Sequence, residues 1–136
     1  MTGTRRKSRI IALQGLYEID SVSRRPETVV DRLLSEAGLS DDNNEFIRNL
    51  VDGVIRNKGD IDNNIQKYAP AWPVDQLATV DRNILRLAIF EILFDNKVPV
   101  KVAVSEAVEL AKKFGSENSA KFVNGVLGSI STLASR

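Results

Sequence analysis

The chain predicts an all-α fold of six or seven helices packed as two halves of one domain. Three observations predict it. Apolar residues recur at helical spacing along nearly the whole sequence, and no segment sustains the alternation of a strand. The stretch Ala69-Pro70-Ala71-Trp72-Pro73 places two prolines where no helix interior tolerates them, which divides the chain into halves at about 1–69 and about 70–136. A length of 136 residues suits a single domain with a core of its own.

The elements follow in order. A first helix spans about Arg5 to Asp20 on the series Ile10, Leu13, Leu16 and Tyr17, with Thr4 as its N-cap. Pro26 opens a second helix bearing Val29, Val30, Leu33, Leu34 and Ala37, and Gly38 ends it as a C′ residue. Ser40 caps a third, with Asp41 and Asp42 favourable in its first turn and Phe46, Ile47, Leu50, Val51 and Val54 on its apolar face. Ile61, Ile65 and Tyr68 continue that periodicity while Gly59 interrupts it, so 45–68 reads as one helix or two. Val80–Phe94 is apolar on nearly every side and belongs at the centre of a domain. Pro99 restarts the chain into a helix carrying Val104, Ala107, Val108, Ala111 and Phe114, ended by Gly115. A last helix from about Ser119 uses Phe122, Val123, Val126, Leu127 and Ile130.

Composition narrows the function. The chain is 43% hydrophobic and 27% charged, an ordinary globular mix, with neither cysteine nor histidine. That removes disulfides, thiol nucleophiles, the commonest general base and the commonest metal ligand together. Asp41-Asp42 and Asp60-x-Asp62 read as a helix start and a solvated segment, without the ligand ladder of a calcium loop. No glycine-rich phosphate cradle is present, and no apolar stretch reaches the length of a signal peptide core or a membrane span. The expectation is a soluble cytoplasmic binding protein, not an enzyme, with no cofactor, no metal and no membrane contact.

Charge is unevenly spread. Residues 1–17 carry +4, residues 18–62 carry −5 and residues 63–136 carry +2. The basic tip consists of Arg5, Arg6, Lys7 and Arg9. On a helical wheel with Arg5 at zero, Arg6 and Arg9 fall at about 100° and 40°, inside the sector of Ile10, Leu13, Leu16 and Tyr17. Unpaired charge cannot be packed in a core, so the arginines are expected beyond the end of the bundle or on non-helical chain. Cations at a helix N-terminus oppose its dipole, and a bound phosphate would reverse that sign. A solvated charge run is the plainer alternative.

Several segments together resemble the NusB family of bacterial transcription antitermination factors. They are Arg5-Arg6-Lys7 and Arg9 leading into Ala12-Leu13-Gln14-Gly15-Leu16-Tyr17, then Tyr68-Ala69-Pro70 with Trp72. Val80-Asp81-Arg82-Asn83-Ile84-Leu85-Arg86-Leu87-Ala88 with Glu91 comes next. Val98-Pro99-Val100-Lys101-Val102-Ala103 follows, with Glu106-Ala107-Val108-Glu109-Leu110-Ala111-Lys112 and Phe114-Gly115. Ser119 and Lys121-Phe122-Val123-Asn124-Gly125-Val126-Leu127 complete a set that covers nearly the whole chain in family order.

The resemblance implies two perpendicular three-helix bundles without enzymatic activity. It implies binding to the single-stranded boxA element of nascent ribosomal RNA together with NusE, a small-subunit ribosomal protein. It also implies a place among other Nus factors in RNA polymerase antitermination complexes, in support of ribosomal RNA maturation. The same fold precedes the catalytic domain of certain ribosomal RNA methyltransferases; a chain ending at Arg136 fits the stand-alone factor better. A monomer and a homodimer are both compatible with it.

Candidate residues follow from both readings. The family's arginine-rich start contacts RNA, and Arg5, Arg6, Lys7 and Arg9 occupy it here. Four phosphate contacts to a single strand would give a slope of log K against log salt near roughly −3. Gln14, off the apolar stripe, can hydrogen-bond a base edge or simply be solvated. A second RNA group is Asn118, Lys121, Phe122 and Asn124, offering charge, amides and an aromatic face. Phe122 reads as core or as a stacking platform, and Tyr17 as core with its hydroxyl at the surface. For the NusE surface, the polar residues Asp75, Gln76, Asp81, Arg82 and Arg86 stand out in the second half. Arg82 and Arg86 share one face, suited to an acidic partner or to an internal bridge with Asp81, Glu91 or Asp95.

Overall fold

The structure, a computed structural model, describes residues 3–134. Among the described residues it is all-helical: α1 (Gly3–Val22), α2 (Pro26–Ala37), α3 (Asp41–Arg56), α4 (Lys58–Tyr68), α5 (Thr79–Ile89), α6 (Val100–Phe114) and α7 (Ser119–Ser131). Helix α5 runs on into a wider π-type segment, Phe90–Asp95, and a 3-10 turn occupies Val74–Gln76.

Local chemistry sets most of the ends. Pro26 opens α2, and Gly38 closes it with φ of 62°, a left-handed conformation that glycine adopts without a Cβ clash. The Asn43 amide donates to Ser40 Oγ at 3.3 Å, so Ser40 caps α3 as expected. The first helix starts earlier than its spacing predicts: Thr4 lies inside α1, and its carbonyl accepts from Ser8 Oγ at 2.9 Å. Residues 45–68 form two helices, and the break falls at Asn57, within the Asn57–Gly59 stretch where the sequence allows a stop. Asn57 Nδ2 bonds back to the Gly53 carbonyl at 2.8 Å, while the Asn57 carbonyl receives the Ile61 amide at 2.9 Å. One residue thus closes one helix and starts the next.

The chain forms two compact units, one reaching to Asp52 and the other starting at Gly53. In the first, α1 packs on α2, and Ala12, Leu16, Val29, Val30, Ile47, Leu50 and Val51 are buried. In the second, α4, α6 and α7 pack against α5. Every residue from Asn83 to Ile92 is buried, which explains why this segment is apolar all round. Ile84, Leu85, Ile89 and Ile92 are wholly excluded from solvent, each worth about 1.5–3 kcal/mol of burial. Gly53 is needed where it stands, because the Phe90 ring occupies the space a Cβ would take.

Candidate nucleic-acid interface

Helix α1 carries Arg5 and Arg9 one turn apart on one face, and α3 supplies what these two touch. The guanidinium of Arg5 lies 4.1 Å from the centroid of the Phe46 ring. Its Nη1 donates to Asn43 Oδ1 and its Nη2 to Asp42 Oδ2, both at 3.1 Å. Arg5 remains 33% exposed, and Asp42 is open to solvent, so this pair is screened and weak. Asn43 is itself held: it accepts from Ser8 Oγ at 3.1 Å and donates from Nδ2 to Ser40 Oγ at 2.9 Å.

Arg9 corrects an expectation. It is only 1% exposed, with its guanidinium 5.2 Å from the same Phe46 ring and further partners within the chain. The wheel had already placed Arg9 over the apolar stripe; desolvation was the reason for excluding it from the core. An aromatic face together with polar partners offsets that cost. Arg9 therefore organises the end of α1 and is not open to a phosphate. Arg6, Lys7 and Gln14 are exposed, as a surface role requires. Tyr17 departs from the expected core position and is 44% exposed.

One turn beyond Gln14, Glu18 accepts from Arg32 Nη2 on Oε1 at 2.7 Å and from Nη1 on Oε2 at 3.0 Å. These hydrogen bonds from Arg32 hold the Glu18 carboxyl below its ordinary value, with a smaller contribution from Arg24.

The second candidate group lies in the other compact unit. Before α7, the Ser116 amide donates to Ser119 Oγ at 2.9 Å, which fixes the turn at 116–119. Asn118 flanks the helix without spending its side chain on a cap and is exposed, as are Lys121 and Asn124. Phe122 is half-buried, so part of its ring packs and part faces outward. Asn124 lines an open groove between α6 and α7.

The candidates for a protein partner separate in the same way. Asp75 and Gln76 are exposed on the 3-10 turn, and Arg82 Nη1 donates to the Asp75 carbonyl at 3.0 Å. Asp81 and Arg82 are half-buried. Arg86 is 5% exposed and locked to Asp62, its Nε to Oδ1 at 2.8 Å and its Nη2 to Oδ2 at 3.0 Å. Arg86 thus takes the internal bridge rather than the acidic partner, and the carboxylate it grips at two points is Asp62, 24 residues earlier, in place of Asp81, Glu91 or Asp95. A buried two-point pair of this kind withdraws Arg86 from any partner surface.

Trp72, part of the family motif at the proline-rich loop, is 59% exposed, three residues before the exposed Asp75 and Gln76. Two hydrogen bonds tie its loop to α4: Gln66 Nε2 donates to the Trp72 carbonyl and the Val74 amide donates to Gln66 Oε1, both at 3.1 Å. A tryptophan flanked by prolines at Pro70 and Pro73 was the available signal. Phe46, the platform under both arginines, gave none beyond its helical spacing.

Among the described residues no three histidine, cysteine, aspartate or glutamate side chains group so as to hold a metal ion. No described helix is long and apolar enough to cross a membrane.

Residues 6–132 match the model of the NusB family. A transcription antitermination protein NusB from Dehalococcoides mccartyi is 53% identical over 96% of this chain and 92% of its own length. Its counterpart in Roseiflexus sp. is 47% identical over 96% of this chain and 93% of its own. Among solved structures, T. maritima NusB superposes with a TM-score of 0.91 at 34% identity, covering 100% of this chain and 96% of that one. The NusB chain of a crystal structure of antitermination factors NusB and NusE in complex with double-stranded RNA gives a TM-score of 0.88 at 31% identity, over 98% and 99% of the two chains.

Proposed function

The chain belongs to the NusB family, and from that membership we propose that it is a transcription antitermination factor that binds single-stranded boxA RNA together with NusE. It acts in the cytoplasm on nascent ribosomal RNA, within the antitermination complex of RNA polymerase and other Nus factors. The observation that carries the RNA part is the exposed pair Arg6–Lys7 at the start of α1, beside an Arg5 held half-open on Phe46. Arg5, Arg6 and Lys7 neutralise phosphates, the exposed helix start adds N–H donors, and Gln14 reads a base edge. Arg9 is a positioning residue that keeps Phe46, and through it Arg5, in place.

Asn118, Lys121, Phe122 and Asn124 form the second contact group, with the outward part of the Phe122 ring as a stacking face. Trp72, Asp75 and Gln76 form the centre of the NusE surface, flanked by Asp81 and Arg82; an exposed tryptophan is the kind of side chain that dominates binding energy.

Three phosphate contacts from α1 give a salt slope near about −2 from that region, shallower than four would. Anisotropy of a short labelled boxA RNA, titrated with this chain and NusE at several salt concentrations, tests the reading. Arg6→Ala with Lys7→Ala is expected to weaken binding and reduce the slope by about 1.4. Unchanged affinity and slope would make the chain a protein adaptor whose basic tip is incidental. Trp72→Ala is expected to lower NusE affinity at least tenfold.

A further inference from the structure

The groove between α6 and α7 has a volume of about 1100 Å3 and takes no part in the function described above except through Asn124 on its wall. Its floor comes from a second apolar face of α6. With Val100 at zero on the wheel, Val104 and Val108 fall at about 40° and 80°. The buried residues Ala103, Glu106, Ala107, Leu110 and Ala111 occupy the arc from about 240° to 20°. The apolar arc of α6 is therefore about 200° wide, twice what packing one side of a helix needs. All three valines are half-buried: their outer sides face the groove. Across it, Gly128 of α7 leaves open space where a Cβ would stand.

The rim is basic. Lys101 and Lys112 border the valine stripe at about 100° and 120°, and Lys97 stands at the end of the groove near the start of α6. Lys97 and Lys112 are themselves exposed and reach their partners only loosely, Asp95 at 3.8 Å and Glu109 at 3.5 Å, so another carboxylate can engage them. Lys101 and Lys112 are eleven residues apart, about 16 Å along the axis.

We propose that this groove docks an amphipathic helix of a partner protein, about three turns long, with an aliphatic stripe and carboxylates at both ends. The aliphatic floor receives the stripe, Lys97 and Lys101 at one end and Lys112 at the other receive the carboxylates, and the glycine lets the helix approach α7 closely. RNA suits the groove less well. No aromatic ring is among its lining residues, so bases would find no stacking surface, and valines offer phosphates nothing.

The test uses the full chain, labelled with nitrogen-15, and a capped synthetic helix carrying leucines at i, i+4 and i+7 with glutamates at both ends. Amide shifts are expected at Val100, Val104, Val108 and Gly128. Lys101→Glu with Lys112→Glu, both exposed and without effect on folding, is expected to weaken the acidic helix at least tenfold and to admit the same helix with lysines in place of glutamates. Gly128→Leu fills the groove while favouring the helical backbone of α7, and is expected to abolish the shifts with the melting temperature retained. Equal binding of the acidic and basic peptides, or shifts elsewhere on the surface, would overturn the proposal. So would an oligouridylate that perturbs these amides and loses affinity in the lysine variants; the groove would then belong to RNA.

Discussion

Two pairs of arginines, Arg5 with Arg9 on α1 and Arg82 with Arg86 on α5, have the same spacing and different solutions to the same problem. In each pair the second member is buried and the first sits at the edge of the solvent. Arg86 is neutralised by a carboxylate it grips at two points. Arg9 lies over an aromatic ring that it shares with Arg5. A ring attracts a cation through its electron-rich face, and Arg9 has further partners in the chain besides it. The two-point pair on α5 leaves no charge to offer. The same spacing thus yields an aromatic-backed, part-exposed tip in one place and a structural clamp in the other.

Removing the clamp is expected to have the largest effect. Arg86→Ala leaves Asp62 without its partner near the core and should destabilise the chain by about 3 kcal/mol. Urea unfolding should report this as a lower midpoint at an unchanged slope. Arg86→Met, which refills the space, should recover part of the loss. Arg9→Met comes next, at about 2 kcal/mol for a desolvated cation–π contact. Pairing it with Phe46→Leu in a double-mutant cycle should show a coupling of about 1 kcal/mol. A coupling near zero would mean that the polar partners of Arg9, and not the ring, hold it in the interior. The outer members should matter less: Arg82 is half-buried, and Arg82→Ala, which forfeits its hydrogen bond to the Asp75 carbonyl among its contacts, should cost about 1 kcal/mol.

This contrast also shows where sequence reading succeeds. Helical periodicity, Pro26, Gly38, Ser40 and the proline-rich loop place most elements correctly, because each acts through its immediate neighbours in the chain. The all-round apolar run Val80–Phe94 is legible for a related reason: burial on every side leaves no polar face to conceal it. Arg9 and Arg86 fail because their fate rests on residues distant in sequence, Phe46 and Asp62. A wheel shows the direction a side chain takes but not what waits there. The exposed Lys7 and Gln14 were easier, since at about 200° and 180° on the wheel both lie off the apolar stripe. Trp72 was harder. Its loop is fixed by Gln66, six residues earlier, whose Nε2 donates to the Trp72 carbonyl and whose Oε1 accepts from the Val74 amide.

The smallest expected effect comes from the other ion pair on α1 and sharpens the contrast by pH. Arg32 donates two hydrogen bonds to Glu18, which lowers the folded-state pKa of that carboxyl beneath its unfolded value. A carboxylate shifted in this direction contributes stability above its unfolded pKa and loses it as pH falls through the folded one. Glu18 is exposed enough for water and salt to screen the pair, so the contribution is modest. Glu18→Gln should therefore melt slightly below the parent chain at neutral pH and low salt. The gap should narrow as pH falls below about 4.5, the ordinary value of the group, and shrink again in high salt. Arg86→Ala should keep most of its deficit in high salt at neutral pH, because Arg86 is withdrawn from solvent. Equal salt sensitivity in the two variants would show that the Arg86–Asp62 pair is as solvated as the one at Glu18, and the division into clamp and tip would fail.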